Sequence, residues 1–276
     1  MLVAGPTASG KSALAMELAA RDGRVIVNAD ALQVYSCWRV LTARPSAAEE
    51  AALPHALYGH VGRDEAYSAG HWLRQAVAFL DRPVVIVGGT GLYFMALVEG
   101  LAEVPAIPPE VRAEADALRA ADFATMVAGL DPRTAARTDL ANPARVQRAW
   151  EVLHATGRGL ADWQARTGAP ALPLARAEAL VIRPEVDWLN ARIDARFDAM
   201  MAAGALEEVR AELPFWNSAR PSSRAIGAPE LVAHLRGELA LGEAMAAAKL
   251  ASRRYAKRQR TWFRSRMGGW RGIALP

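Results

Sequence analysis

Within its first twelve residues the chain completes a phosphate-binding loop: Gly5-Pro6-Thr7-Ala8-Ser9-Gly10-Lys11-Ser12 matches G-x-x-x-x-G-K-[ST]. A short apolar stub, Met1-Leu2-Val3-Ala4, precedes it, and a helical pattern, Ser12 to Leu18, follows. That order is what the motif needs, because the cradle forms where a parallel strand turns into a helix. Backbone N–H groups of the loop and of the helix start make an anion nest, Lys11 adds a point charge, and the Ser12 hydroxyl can ligate Mg²⁺. The plain alternative is a glycine turn that caps a helix. The motif leaves open which phosphate compound is held, since the same cradle serves kinases, NTPases and some transferases.

Two further segments read as strands covered on both faces. Arg24 to Asp30 is a short β-branched run ending in a carboxylate, and Arg82 to Thr90 runs into Gly88-Gly89-Thr90 and then a helix over 92–99. Pro105, Pro108 and Pro109 break this pattern. From there the periodicity predicts only helices, at 110–120, 123–129, 143–156 and 160–167, closed by a Pro/Gly-rich stretch at 168–173. Ala179-Leu180-Val181-Ile182 returns as a strand, followed by an amphipathic helix with Leu189, Ile193, Phe197 and Met200/Met201 on its inner stripe. The expected architecture is α/β: a P-loop NTPase-like parallel sheet core formed by 1–104 and 173–276, carrying an all-helical insertion at 105–172. Ligands of such sheets lie beyond the carboxyl ends of the strands.

With 52% apolar and 22% charged residues, the chain has the composition of a soluble globular protein. It contains no uncharged apolar run of about 18 residues, and the phosphate loop follows Met1 at once, so neither a membrane span nor a signal peptide is expected. The expected compartment is the cytosol. Cys37 stands alone and has no intrachain partner for a disulfide.

Only three of the 33 basic residues are lysines, Lys11, Lys249 and Lys257; where lysine survives such a bias, a compact ammonium is needed at Lys11. Nine basic residues and no acid fall between Lys249 and the C-terminus, which leaves 24 basic against 29 acidic residues elsewhere. A block this basic is the footprint of a polyanion, with nucleic acid the first candidate. A solvated tail is the alternative. Tyr255, Trp262, Phe263 and Trp270 punctuate the block, however, and favour a packed helix with a basic flank.

Phosphate-loop ATPases and GTPases place a second acid at a strand end to hold Mg²⁺. Here the strand ending at Gly88-Gly89-Thr90 has none, and Asp30 is the strand-end acid near the loop. It sits where a general base for an attacking nucleophile would sit, or where a helix N-cap would.

The surroundings carry a resemblance. Asp30-Ala31-Leu32-Gln33-Val34-Tyr35 with Thr42-Ala43-Arg44-Pro45, and the loop itself, are similar to the motifs of the tRNA dimethylallyltransferases (tRNA isopentenyltransferases). So are Gly88 to Tyr93, Arg145 to Glu151, Arg192 to Asp198, Ser223-Arg224-Ala225-Ile226-Gly227 and Ala256 to Arg264, in the family's order along nearly the whole chain. The resemblance implies transfer of a dimethylallyl group from dimethylallyl diphosphate to the exocyclic amine of the adenosine 3′ of the tRNA anticodon. The loop would then hold a leaving diphosphate, neutralised by loop amides, Lys11, Arg224 and a Mg²⁺ on Ser12. Asp30 would take the proton of the amine, Gln33 would read the flipped base, and Thr90 would stand near diphosphate and substrate.

By the same resemblance Ala31, Leu32, Arg112, the stretch Ala144-Arg145-Val146-Gln147-Arg148, Lys257 and Arg258 are tRNA-contacting positions, and the protein is a monomer. Gln33 as a loop hydrogen-bonder and Arg112 as a solvated helix charge remain open alternatives. The chain departs from the family at Ala31 (usually serine), across Ser36–Arg39 and Leu41, at Arg44 (lysine) and at Ala228-Pro229 (a tyrosine and a basic residue). A small-molecule phosphate-loop kinase explains the loop and Asp30 but not the basic block. A prenyltransferase acting on free adenine nucleotides would need neither the insertion nor the basic face.

Overall fold

The computed structural model describes residues 1–274. The chain forms two compact units, Met1–Val98 together with the chain from Leu172, and Glu99–Ala171. Helices and strands are numbered in chain order.

The first unit is built on a six-stranded, all-parallel sheet in the order β3-β2-β4-β1-β5-β6, with β1 at Leu2–Ala4, β2 at Val25–Asn28, β3 at His55–Ala56, β4 at Val84–Gly88, β5 at Ala179–Ile182 and β6 at Arg271–Ile273. Its centre is β1, aligned with both neighbours: Val3 lies opposite Val87 on one side and Leu180 on the other. Every residue of β1, β4 and β5 is buried, which is why these strands read as unbroken apolar runs. At about 1.5–3 kcal/mol for each fully buried Leu, Ile or Phe, these strands and the helices on them carry much of the fold's stability.

Helix α1 (Lys11–Asp22) follows β1, α2 spans Ala47–Ala52, α3 Ala69–Val77 and α4 Gly91–Val98. Seven of the eight α4 residues are buried, and Tyr93 of α4 stacks on Trp72 of α3 with ring centroids 4.6 Å apart. The Trp72 indole then donates to Asn28 O at 2.6 Å, fixing the end of β2 beneath the site.

The second unit is entirely helical: α5 (Pro109–Ala121), α6 (Phe123–Ala128), α7 (Pro132–Ala135), α8 (Pro143–Thr156) and α9 (Leu160–Gln164). Three start on proline, the position where the missing N–H costs nothing, and Asp122, Asp131 and Asn142 cap α6, α7 and α8. Ala115, Met126, Val146, Ala149 and Trp150 form its core.

Back in the first unit come α10 (Val186–Ala202), α11 (Ala205–Glu212), α12 (Ala228–Leu235) and the long α13 (Leu241–Arg266). Leu189, Ile193 and Phe197 are the buried stripe of α10. The basic C-terminal block is therefore mostly ordered helix. Phe263, Met267 and Trp270 enter the core, Trp270 edge-on to Phe94 at 5.3 Å, and this anchor leads into the edge strand β6. Among the described residues no helix is long and apolar enough to cross a membrane.

Candidate active site

The phosphate loop leaves β1 and enters α1 at Gly10. Ala8 (φ 62°) and Gly10 (φ 88°) both take left-handed backbone, and Ser9 N donates to Pro6 O at 3.2 Å. The glycine adopts that conformation freely; the alanine is a strained one, of the kind held only where surrounding structure enforces it. The first bond of α1 is Leu14 N to Gly10 O, so the N–H groups of the opening turn remain for a ligand, and no acid stands in that turn to compete. Ser9 Oγ is buried without a hydrogen-bond partner, and the Ser12 hydroxyl is exposed at the first turn.

Lys11 is buried under the loop with Nζ donating to Pro6 O at 3.3 Å. Burial pushes its ammonium down to about 8; Arg196 works in the same direction and Asp30 against it. These residues belong to one electrostatic cluster. From α10, Arg192 Nε donates to Ala8 O at 3.1 Å and Arg196 Nη1 to Thr7 Oγ1 at 3.3 Å, a pair one helical turn apart gripping the loop. Burial lowers Arg196 as well, with Asp30 the acid that opposes the fall. Neither arginine forms a salt bridge within the described residues, whereas Asp194 and Asp198 of the same helix are taken by Arg253 and Lys249 of α13. Lys11 and Arg196 thus both feel the Asp30 carboxylate, and Arg192 adds a third positive charge at the loop.

Asn28 builds the platform for Asp30. Its Oδ1 accepts from Asp30 N at 2.8 Å, and its Nδ2 donates to Asp30 O and Leu57 O, each at 3.0 Å. Asp30 Oδ1 accepts from Leu32 N at 3.0 Å, a local turn; no helix begins there, since the next one, α2, starts at Ala47 under a Ser46 cap. The helix-cap alternative for Asp30 is thereby removed. Thr90 lies across from it, its N donating to Ala29 O at 3.1 Å and its Oγ1 accepting from Ala31 N at 2.9 Å. Asp30, Thr7 and Arg196 line a cleft open to solvent, whose lining also includes the apolar Phe197, Met200 and Ile226. Tyr255 of α13 completes the polar side: burial raises its phenol, while hydrogen bonds to Thr90 and Gln259 act against that shift.

The remaining sequence-predicted positions divide by burial. Gln33 spends its Nε2 on Thr42 O and Ala43 O at 2.8 and 2.9 Å, bracing the loop that walls the cleft. Ala31 and Leu32 are half-buried beside Asp30. Arg224 is exposed on a 3₁₀ turn near Tyr35, with no hydrogen bond to the phosphate loop.

In the helical unit Val146 is fully buried, and Gln147 points inward to Asp116 (2.9 Å) and Glu151 (3.0 Å). Of that stretch only Ala144, Arg145 and Arg148 present surface, and Arg112 and Arg148 both lean on the buried Glu151. Lys257 and Arg258 are exposed on α13, but Lys249 and Arg253 of the basic block are tied to α10. Sequence reasoning did not single out Arg192, Arg196, Tyr255 or Gln259 as site residues. A signal was present for the first two: a pair of arginines flanking Ile193, beside the buried stripe of an amphipathic helix.

Comparison with known proteins finds relatives along the whole chain. A family model described as IPP transferase matches residues 33–266, and one described as isopentenyl transferase matches residues 1–55. The chain is 72% identical over 280 residues to a tRNA dimethylallyltransferase of Cereibacter sphaeroides, covering 100% of this chain and 89% of the relative. It is 62% identical to one of Dinoroseobacter shibae, covering 98% and 93%. Among solved structures, the tRNA isopentenylpyrophosphate transferase of Bacillus halodurans superposes with a TM-score of 0.69 at 29% identity, covering 99% of this chain and 88% of that one. A eukaryotic dimethylallyltransferase acting on tRNA shares the fold at a TM-score of 0.82 and 22% identity, covering 99% and 73%. A phosphate loop, a strand-end aspartate without a second acid, and matches along the whole chain come together in one conclusion: this protein belongs to the tRNA dimethylallyltransferase (IPP transferase) family.

Proposed function

We propose that the protein transfers a dimethylallyl group from dimethylallyl diphosphate to the exocyclic N6 amine of the adenosine 3′ of the anticodon in tRNA, giving N6-dimethylallyladenosine and free diphosphate. The observation that carries this reading is the charge at the loop and its cleft: Arg196 and Asp30 line the cleft, and Lys11 and Arg192, bonded to Pro6 O and Ala8 O, add two further cations to the phosphate loop.

The loop amides and these cations bind the diphosphate and stabilise the negative charge that grows on it as the bond from the allyl carbon to oxygen breaks. The apolar side chains of Phe197, Met200 and Ile226 in the cleft lining suit the dimethylallyl chain and screen the electrophilic carbon from water. The amine nitrogen of the adenosine forms the new bond to that carbon, and its proton passes to an Asp30 carboxylate oxygen. Asn28 and Leu32 N hold Asp30 for that task, and Thr90 sits on the segment facing it.

The site fits a Mg²⁺ that arrives with its phosphates. The Ser12 hydroxyl is exposed at the helix start, and among the described residues no group of three acidic, histidine or cysteine side chains could hold the ion alone. When bound there, Mg²⁺ would neutralise charge on the leaving diphosphate.

The exposed face of α13, with Arg254, Lys257, Arg258 and Arg264, supplies a positive surface for the tRNA backbone, and Arg112, Arg145 and Arg148 supply another on the helical unit. This reading takes the enzyme as a monomer acting in the cytoplasm, where its tRNA is. Incubation with labelled dimethylallyl diphosphate, Mg²⁺ and either unmodified tRNA or AMP tests it. Label in tRNA supports the reading, and label in AMP alone overturns it. ATP turnover without prenyl transfer would make the protein a small-molecule kinase.

A further inference from the structure

Gln259 takes no part in the chemistry above, yet its amide lies between two segments that do. It is 5% exposed on α13. Its Oε1 accepts from Thr7 N at 2.8 Å, and its Nε2 donates to Gly89 O at 3.0 Å. The partners fix the amide's orientation: Thr7 offers a donor and Gly89 an acceptor, so a flipped amide would set like against like at both ends. The fit is close. A Cβ on Gly89 would stand 2.2 Å from Nε2, and 3.3 Å from Asp30 Oδ2.

Gly89 adjoins Thr90, whose N and Oγ1 bond Ala29 O and Ala31 N, the two neighbours of Asp30. One continuous set of hydrogen bonds therefore runs from the phosphate loop through Gln259 to the Thr90 turn and on to the Asp30 segment. It also turns the Thr7 N–H toward Gln259.

We propose that Gln259 is a positioning residue: it sets the spacing between the phosphate loop, where the diphosphate leaves, and the Thr90–Asp30 segments, where the amine is deprotonated. The proposal rests on the transferase reading. The loop's own amides, with Lys11, Arg192 and Arg196, remain when Gln259 is removed, so diphosphate binding survives. What goes is the fixed distance between two reacting ends, and misplacement on the scale of one ångström costs on the order of a hundredfold in rate.

The test compares Gln259→Ala, Gly89→Ala and the double variant with the parent enzyme, using single-turnover transfer to unmodified tRNA, KM for dimethylallyl diphosphate, inorganic diphosphate binding by calorimetry, and thermal melts. Gln259→Ala should transfer about 10- to 100-fold more slowly, with KM and diphosphate affinity within about threefold of the parent. Gly89→Ala should slow transfer similarly by pushing the amide aside. In the double variant the 2.2 Å clash is gone and the methyl's remaining tight contact is Asp30 Oδ2 at 3.3 Å, so any loss beyond that of Gln259→Ala measures crowding of Asp30 rather than displacement of the amide.

A Gln259→Ala enzyme transferring within about threefold of the parent overturns the proposal. So does a loss confined to KM and diphosphate affinity, which would make Gln259 a binding residue only. If Gln259→Ala does not fold, Gly89→Ala decides: unchanged transfer overturns the proposal. A parent that moves no label into tRNA defeats the transferase reading itself, whereas an active parent with an unimpaired Gln259→Ala defeats this inference alone.

Discussion

Lys11 places an ammonium where it destabilises the ligand-free fold, and the cost can be measured. The side chain is 8% exposed, and burial pushes its ammonium from the ordinary 10.5 down to about 8. Between those two values the unfolded chain binds a proton that the folded chain has released, so stability rises with pH across that window. Below about pH 8 both states are charged and the penalty is complete. At about 1.4 kcal/mol per pH unit it comes to about 3 kcal/mol.

Lys11→Met keeps the length and the apolar stem but removes the charge, and forfeits the 3.3 Å bond to Pro6 O, worth about 1 kcal/mol. At pH 7 without ligand the variant should therefore be about 1–3 kcal/mol more stable than the parent. The margin should shrink as pH rises past about 8 and vanish near 10.5, as the parent sheds its buried charge. Urea unfolding of both proteins at neutral pH and at about pH 10 reads the difference, other titrations cancelling between them. Added diphosphate should reverse the ranking, because the bound anion restores a use for the ammonium. A parent more stable than Lys11→Met at pH 7 without ligand, or a margin independent of pH, would refute the argument.

Asp30→Asn should slow single-turnover transfer by roughly 10²–10⁴ while tRNA affinity holds; near-parental turnover would place the base elsewhere. Arg196→Ala removes a cleft cation and should raise KM for dimethylallyl diphosphate by about tenfold, with recovery in part by lysine, measured by steady-state kinetics. Replacing the exposed Arg254, Lys257, Arg258 and Arg264 by glutamine should weaken tRNA binding and flatten its salt dependence by roughly 0.7–0.9 in slope for each phosphate no longer neutralised. Arg253, paired with Asp194, should instead show its effect in thermal stability.

The fold was legible where the signal is local and apolar. Val84–Gly88 and Ala179–Ile182 announced themselves because both faces are covered, and the helix expected over 143–156 is α8 to the residue. The edge strands His55–Ala56 and Arg271–Ile273 carried no such pattern: two or three residues long and partly exposed, they exist because a neighbour's backbone offers its hydrogen bonds.

At the site, the phosphate loop and Asp30 could be read because strand-end position and motif spacing are sequence properties. Gln259 could not be, and Arg196 showed only as one of two arginines beside the buried stripe of α10, with nothing to say that it reaches the loop. What places them is the packing of α10 and α13 against a loop 189 and 252 residues away in sequence, and no periodicity records that approach. The basic block illustrates the same limit from the other side. Its charge count was plain, but only the structure separates Lys249 and Arg253, which fasten two helices together, from the exposed Lys257 and Arg258.

The central claim is that the phosphate loop holds a diphosphate that departs as the dimethylallyl group passes to a tRNA adenosine. The most direct measurement is nucleoside mass analysis of unmodified tRNA after one turnover with stoichiometric protein, dimethylallyl diphosphate and Mg²⁺, with released diphosphate counted in parallel. The account predicts one N6-dimethylallyladenosine, at the adenosine 3′ of the anticodon, for each diphosphate released. Diphosphate release without modified adenosine in the tRNA, or a modified adenosine found only in free nucleotide, would contradict it.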